Sequence, residues 1–187
     1  MKQLTTTIFT TMSALAQQHQ AINLGQGFPD FAADEALLKA AYEAMTQGHN
    51  QYAPMMGTAA LRHTVADLVK THYGFDANVD NNITITAGAS EALFCAIIAI
   101  TEPSDALIIL EPAYDLYRPA ILNAGGVPVG VNLTFNDEGM FVVDWQKVEH
   151  AITPRTRAII VNTPNNPTGN TFTADDLIEL ERLAEQY

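Results

Sequence analysis

Ile83-Thr84-Ile85-Thr86-Ala87-Gly88-Ala89-Ser90-Glu91-Ala92-Leu93-Phe94 is the stretch from which the fold is read. It opens with alternating β-branched residues, the composition of a short strand. Three small residues follow, and residues 91–100 then run almost without a polar side chain. About ten such residues, free of Pro and Gly, predict a buried helix. A strand that turns through Gly88-Ala89-Ser90 into a helix leaves several backbone N–H groups without intrahelical partners. Together with the positive end of the helix dipole they form an anion site, and small side chains let a phosphate reach the backbone. A simpler reading is that Ser90 caps the helix and the small residues allow close packing. On this stretch alone the simpler reading is favoured, so the other loops decide.

Working outward, residues 106–110 form a continuous apolar run, the pattern of a strand buried on both faces in a parallel sheet. It ends in Glu111-Pro112-Ala113-Tyr114-Asp115, before a helix that runs to Asn123 and stops at Gly125-Gly126. Residues 127–133 read as the next strand, residues 135–139 as a turn, and Asp144 as the cap of a short helix over 145–152. Residues 157–161 are another buried strand, leading into Asn162-Thr163-Pro164-Asn165-Asn166-Pro167-Thr168-Gly169. Thr173 with Asp176 three residues on is the pattern of a capping box for a last helix. Strand, loop and helix in repetition predict a doubly wound α/β sheet. Ligands of such sheets bind beyond the carboxyl ends of the strands. The loops at Gly88, Tyr114 and Asn166 all fall at that end.

Upstream, residues 8–19 read as a weakly amphipathic helix. Gly25-Gln26-Gly27-Phe28-Pro29-Asp30-Phe31 reads as an irregular loop, in which Gly27 either admits a ligand to the backbone or simply turns the chain. Asp34 is placed to cap a helix through Leu37, Leu38, Ala41 and Met45, ended by Gly48. A second loop, Asn50-Gln51-Tyr52-Ala53-Pro54-Met55-Met56-Gly57, carries a tyrosine that is either packed or presented. Residues 58–73 predict a helix with Leu61, Val65, Leu68 and Val69 on one stripe, stopped by Gly74.

Composition narrows the classes of function. The net charge of −12 argues against nucleic-acid and membrane-surface binding, which call for a basic face. Cys95, the only cysteine, lies in the apolar helix and reads as a small buried hydrophobe. No disulfide can form within the chain, which fits a cytoplasmic location. The N-terminal residues lack a signal-peptide core, and no run reaches the ~18 apolar residues of a membrane span. No metal-ligand motif stands out. Glycine fingerprints for dinucleotides and nucleoside triphosphates are absent. A phosphate cradle, an aromatic residue and an Asn-Pro loop at one sheet end suit a flat, phosphorylated ligand, and pyridoxal phosphate fits that description.

At this point four motifs carry a resemblance. The loop from Asn162 to Gly169 resembles the signature of class I and II pyridoxal-phosphate aminotransferases of fold type I. Leu24-Gly25-Gln26-Gly27-Phe28-Pro29-Asp30-Phe31, Asn50-Gln51-Tyr52 and Glu111-Pro112-Ala113-Tyr114-Asp115 are similar to the same family in the same order. The Gly-Gln-Gly-Phe-Pro-Asp variant is similar to the methionine, kynurenine and glutamine aminotransferase branch.

The resemblance implies a three-layer doubly wound large domain, incomplete here, with an N-terminal small-domain segment. Residues 1–35 would be that arm, and residues 36–187 the first part of the pyridoxal-phosphate-binding domain. The backbone N–H groups at Gly88, Ala89 and Ser90 would hold the phosphate, and Tyr114 would stack on the pyridine ring. Asn166 would bond the ring's phenolic oxygen and so help to set its acidity. Tyr52 would reach the phosphate of the neighbouring subunit in a homodimer, and Gly27 would offer its backbone to the substrate carboxylate. Where the family often has an aromatic residue after the Gly pair, this chain has Ser90, a departure from the pattern that bears on any ring contact from that position.

The family's Schiff-base lysine would lie beyond Tyr187, because Lys2, Lys39, Lys70 and Lys147 match no family motif. The chain then reads as part of a transaminase that moves an amino group from an amino acid to a 2-oxo acid. It would need a remaining C-terminal half to pair its first strand and to cover the apolar helix. A carbon–sulfur lyase of the same fold would share these loops. A non-catalytic, aminotransferase-like sensor domain is a third reading, but it would need a DNA-binding domain ahead of the fold.

Overall fold

The computed structural model of this chain describes residues 7–27 and 29–187. The readings placed on residues 1–6, Lys2 among them, and on Phe28 of the Gly27 loop lie outside the described residues. The chain divides into two compact units, residues 1–85 and residues 86–187.

The second unit holds the parallel sheet. Strand β1 (Ala106–Glu111) is its centre, paired on one side with β2 (Val127–Asn132) and on the other with β5 (Thr156–Ile160), all parallel. Residues 106–110 are all buried, as the continuous apolar run predicts. Alternation along β1 divides the core in two. Leu107 and Ile109 pack with Ile97, Tyr117, Ala120 and Ile121 from α4 (Gly88–Ile100) and α5 (Tyr117–Asn123) on one face. Ile108 and Leu110 pack with Val131, Val148 and Leu183 on the other, where α6 (Trp145–Ala151) and α7 (Ala174–Gln186) lie. Two helical layers around one sheet make the three-layer α/β arrangement read from the sequence. A hairpin of β3 (Thr134–Phe135) and β4 (Phe141–Val142), which the sequence reading treated as a plain turn, joins β2 to α6.

Helix ends follow their capping residues. Asp144 accepts from the Lys147 N–H at the start of α6. Thr173 and Asp176 form the expected capping box on α7. Asp176 also accepts a hydrogen bond from Trp145 Nε1 at 2.8 Å, tying α7 to α6. Burial pushes the Asp176 carboxyl up, but hydrogen bonds from Thr173 and Trp145 outweigh it and hold its pKa below the ordinary 3.8. A carboxylate with a lowered folded-state pKa stabilises at neutral pH, and that contribution disappears as the pH falls through the folded-state value. Asp176→Asn is therefore expected to flatten the acid limb of the stability-versus-pH curve below about pH 4. Urea midpoints of the full chain between pH 3 and 7 test this, and an unchanged acid limb would remove Asp176 from the account.

Four expectations are corrected. Residues 83–86 form no strand: Ile83 is buried and the Ile85 N–H bonds the Met56 carbonyl at 3.1 Å, but no described strand lies beside them to make a ladder. Helix α4 begins at Gly88 rather than Glu91, and only Ile97 of it is buried. Cys95 is exposed, because α4 is apolar all round while only one of its faces meets the sheet. The strand predicted as buried at 157–161 is β5, whose residues are mostly half-buried because it stands at the sheet edge among the described residues.

The first unit contains α1 (Ile8–Gln18), α2 (Glu35–Thr46) and α3 (Ala59–Tyr73). Asp34 caps α2 through the Ala36 N–H at 2.8 Å, and Gly74 ends α3 in the left-handed conformation. None of the three helices has a buried residue, so the stripe of Leu61, Val65, Leu68 and Val69 finds only partial cover. Gly57 is required where it stands. Its φ is +94°, and a Cβ there would lie 2.4 Å from Ile85 Cγ1.

Candidate functional site

A helix start leaves four backbone N–H groups without partners in the helix. In α4 two of these are satisfied locally. The Ala87 N–H donates to the Glu91 carboxylate, and the Gly88 N–H to the Thr86 carbonyl at 2.8 Å. The amides of Ala89 and Ser90 have no partner among the described residues and remain donors at the positive end of the helix dipole. Gly88 makes this geometry possible, since its φ of +83° is one that other residues adopt only under strain. Open space surrounds its Cβ position, so the demand is conformational.

Ser90 is not the cap that the simpler reading made it. The cap position is Ala87, and Ser90 lies in the first turn with its Oγ 2.9 Å from the Tyr114 hydroxyl. Tyr114 follows the carboxyl end of β1. Its half-buried ring meets the buried Tyr117 edge-on, with centroids 5.8 Å apart and planes at 85°. Burial, with Tyr114 beside it, raises the Tyr117 phenol above its ordinary pKa and keeps it neutral. The structure thus brings the Gly88-Ala89-Ser90 turn and Tyr114 together.

Behind this loop lies a pair that the sequence reading missed. Arg118 Nε donates to Glu111 Oε1 at 2.7 Å, joining the end of β1 to α5 on either side of Tyr114. Gly130 on β2 makes room for it: a Cβ there would lie 2.3 Å from Glu111 Oε2. A glycine inside a strand is the signal that marks such a close approach.

Asn166 belongs to the loop that leaves the carboxyl end of β5, the strand beside β1. Asn165 closes that loop on itself, accepting from the Thr168 N–H and hydroxyl and donating its own N–H to the Asn170 carbonyl. The exposed side chain of Asn166 makes no hydrogen bond with a described residue. The Glu111–Pro112, Thr163–Pro164 and Asn166–Pro167 peptide bonds are cis. No described contact joins Asn166 to Tyr114 or Ser90.

Gly27 and Tyr52 belong to the first unit. Both are exposed, Tyr52 fully. Lys39, Lys70 and Lys147 pair at the surface with Glu43, Asp76 and Asp144, as solvated helix residues do. Among the described residues no group of three or more His, Cys, Asp or Glu side chains is placed to hold a metal ion. No described helix is long and apolar enough to cross a membrane.

Comparison with known proteins bears on this geometry. The family described as "Aminotransferase class I and II" matches residues 19–187. A methionine aminotransferase of Escherichia coli K12 is 47% identical over 95% of this chain and 45% of its own length. A probable N-succinyldiaminopimelate aminotransferase of Mycobacterium tuberculosis is 41% identical over 96% of this chain and 45% of its own. Among solved structures, that of YbdL from Escherichia coli, reported with a methionine aminotransferase function, superposes with a TM-score of 0.92. It is 45% identical and covers 100% of this chain and 48% of its own. The chain spans about half the length of the curated relatives it matches.

Proposed function

Since the chain belongs to the class I and II aminotransferase family, we propose that it supplies the phosphate and ring contacts of a pyridoxal-phosphate-dependent transaminase. The enzyme moves an amino group from an amino acid (methionine, aromatic or glutamine-like) to a 2-oxo acid. One observation carries the reading: the two free amides of Ala89 and Ser90 lie in the turn whose Ser90 hydroxyl stands 2.9 Å from the Tyr114 hydroxyl.

The residues present suit the cofactor. The Ala89 and Ser90 amides donate to its phosphate, with Gly88 shaping the turn, and the Tyr114 ring supports the pyridine face. The unpartnered amide of Asn166 donates to the phenolic oxygen. When bound, pyridoxal phosphate supplies the electron sink that the chemistry at the amino acid's α-carbon needs. Gly27 is assigned to the substrate carboxylate through its backbone, which its exposure supports. The exposed Tyr52 is assigned to the phosphate of a second subunit, so the enzyme is read as a homodimer. The lysine that carries the cofactor is assigned to the part of the relatives' length that this chain does not span. Residues 1–35 as a small-domain segment, residues 36–187 as the start of the cofactor domain, and a cytoplasmic location complete the reading.

In the full chain, pyridoxal phosphate is expected to bind with a visible absorbance band. Tyr114→Ala should weaken that binding roughly five-fold, the worth of about 1 kcal/mol of ring contact. An Asn166 donor favours the deprotonated phenolic oxygen and so lowers its pKa; Asn166→Ala should move the band's pH midpoint upward. Full affinity in the first variant or an unmoved midpoint in the second would count against the residue concerned. Incubation with methionine and a 2-oxo acid, assayed for the new amino acid and for released thiol, separates transamination from carbon–sulfur cleavage.

A further inference from the structure

The hydroxyl of Ser90 has no task in the site as described so far. An alanine would offer the same backbone N–H to a phosphate, and the cap of α4 is made by the Glu91 carboxylate on the Ala87 N–H. The hydroxyl instead lies 2.9 Å from that of Tyr114, 24 residues further along the chain and in a different loop. Tyr114 otherwise packs against the core cluster, its ring edge-on to Tyr117, and these apolar contacts do not direct its hydroxyl end.

We infer that Ser90 is a positioning residue: its hydroxyl ties the Tyr114 ring to the turn whose amides hold the phosphate. Ring and phosphate donors are thereby set at one spacing, and a ligand is selected that carries a phosphate one arm away from a flat ring. The inference rests on the cofactor reading above. The same residue therefore serves twice, with its N–H toward the phosphate and its hydroxyl toward the ring.

The test compares Ser90→Ala, Ser90→Thr, Tyr114→Phe and the Ser90→Ala/Tyr114→Phe double variant in the full chain. Pyridoxal phosphate and inorganic phosphate are the probes. Loss of one neutral hydrogen bond should weaken pyridoxal phosphate binding about five-fold in each single variant that removes a hydroxyl. The double variant should be no weaker than either single, because both remove the same bond. Ser90→Thr should restore binding. Inorganic phosphate should bind Ser90→Ala as it binds the wild type. The circular dichroism of the bound cofactor's absorbance band, which reports ring orientation, should fall in both single variants.

Additive losses in the double variant would overturn the inference, as would an equal loss of inorganic phosphate affinity, since either places the hydroxyl on the phosphate itself. Wild-type behaviour of Ser90→Ala would also overturn it. If Ser90→Ala fails to fold, Tyr114→Phe removes only the partner hydroxyl and carries the same dichroism expectation. Failure of the cofactor reading is seen separately: the wild-type full chain would then bind no pyridoxal phosphate, and both conclusions would fall together.

Discussion

A polypeptide of residues 1–187 by itself is expected to lose its structure gradually on heating, without a cooperative transition. Within each of its two units large apolar side chains stand exposed. Leu24 is 91% exposed and Met55 99%, and α4 turns Ile98 and Ile100 outward beside Cys95. The outer edge of β5 has no partner among the described residues, and a cavity of about 610 Å³, lined by Ile152, Arg157, Ile159, Leu180, Leu183 and Tyr187, adjoins it. Covering one Leu- or Ile-sized side chain contributes about 1.5–3 kcal/mol, and the whole stability of a domain is about 5–15 kcal/mol. A handful of uncovered residues is therefore enough to decide the outcome. Circular dichroism melts with dye binding to exposed apolar surface would measure it. A sharp, monomeric transition would show that this length of chain is self-sufficient.

In the full chain, Leu107→Ala is expected to be the most damaging single change to the frame of the site. Leu107 is 0% exposed on the central strand and packs in the cluster with Ile97, Ile109 and Ile121. Truncation of a buried leucine costs about 3 kcal/mol or more, because the methyl groups lose their contacts and the strand, paired on both sides, cannot collapse into the gap. Leu122→Ala is the control. That side chain is 57% exposed on α5, and surface changes of this kind stay within about 0.5 kcal/mol. The urea midpoint should fall strongly for the first and barely for the second. Cofactor retention should fall with Leu107→Ala, since β1 carries Tyr114 at its carboxyl end. Equal midpoints for the two variants would mean that the core is not where the structure places it.

Local chemistry made much of this protein legible without coordinates. Residues 106–110 are apolar at every position because their strand lies between two helical layers, and that alone implies a central parallel strand. Asp34, Gly74, Asp144 and the Thr173–Asp176 pair mark helix ends because capping needs only atoms a few residues away. The Gly88 turn was legible for the same reason: backbone amides at a helix start follow from chain geometry. Four motifs in order carried the family.

Only the tertiary structure decided the rest, because the partners lie far apart in sequence. Ser90 reads as a cap from its neighbours, yet its hydroxyl bonds Tyr114, and nothing within reach along the chain announces that. Glu111 and Arg118 needed the space that Gly130 leaves on the next strand. Residues 83–86 have the composition of a strand but form none, since a strand exists through its neighbour and no described neighbour stands there. Helix α4 reads as buried from its apolar run, but burial belongs to whatever packs against it, and only one of its faces meets the sheet. Sequence determines what each segment can bury or bond; the fold determines which of those capacities finds a partner.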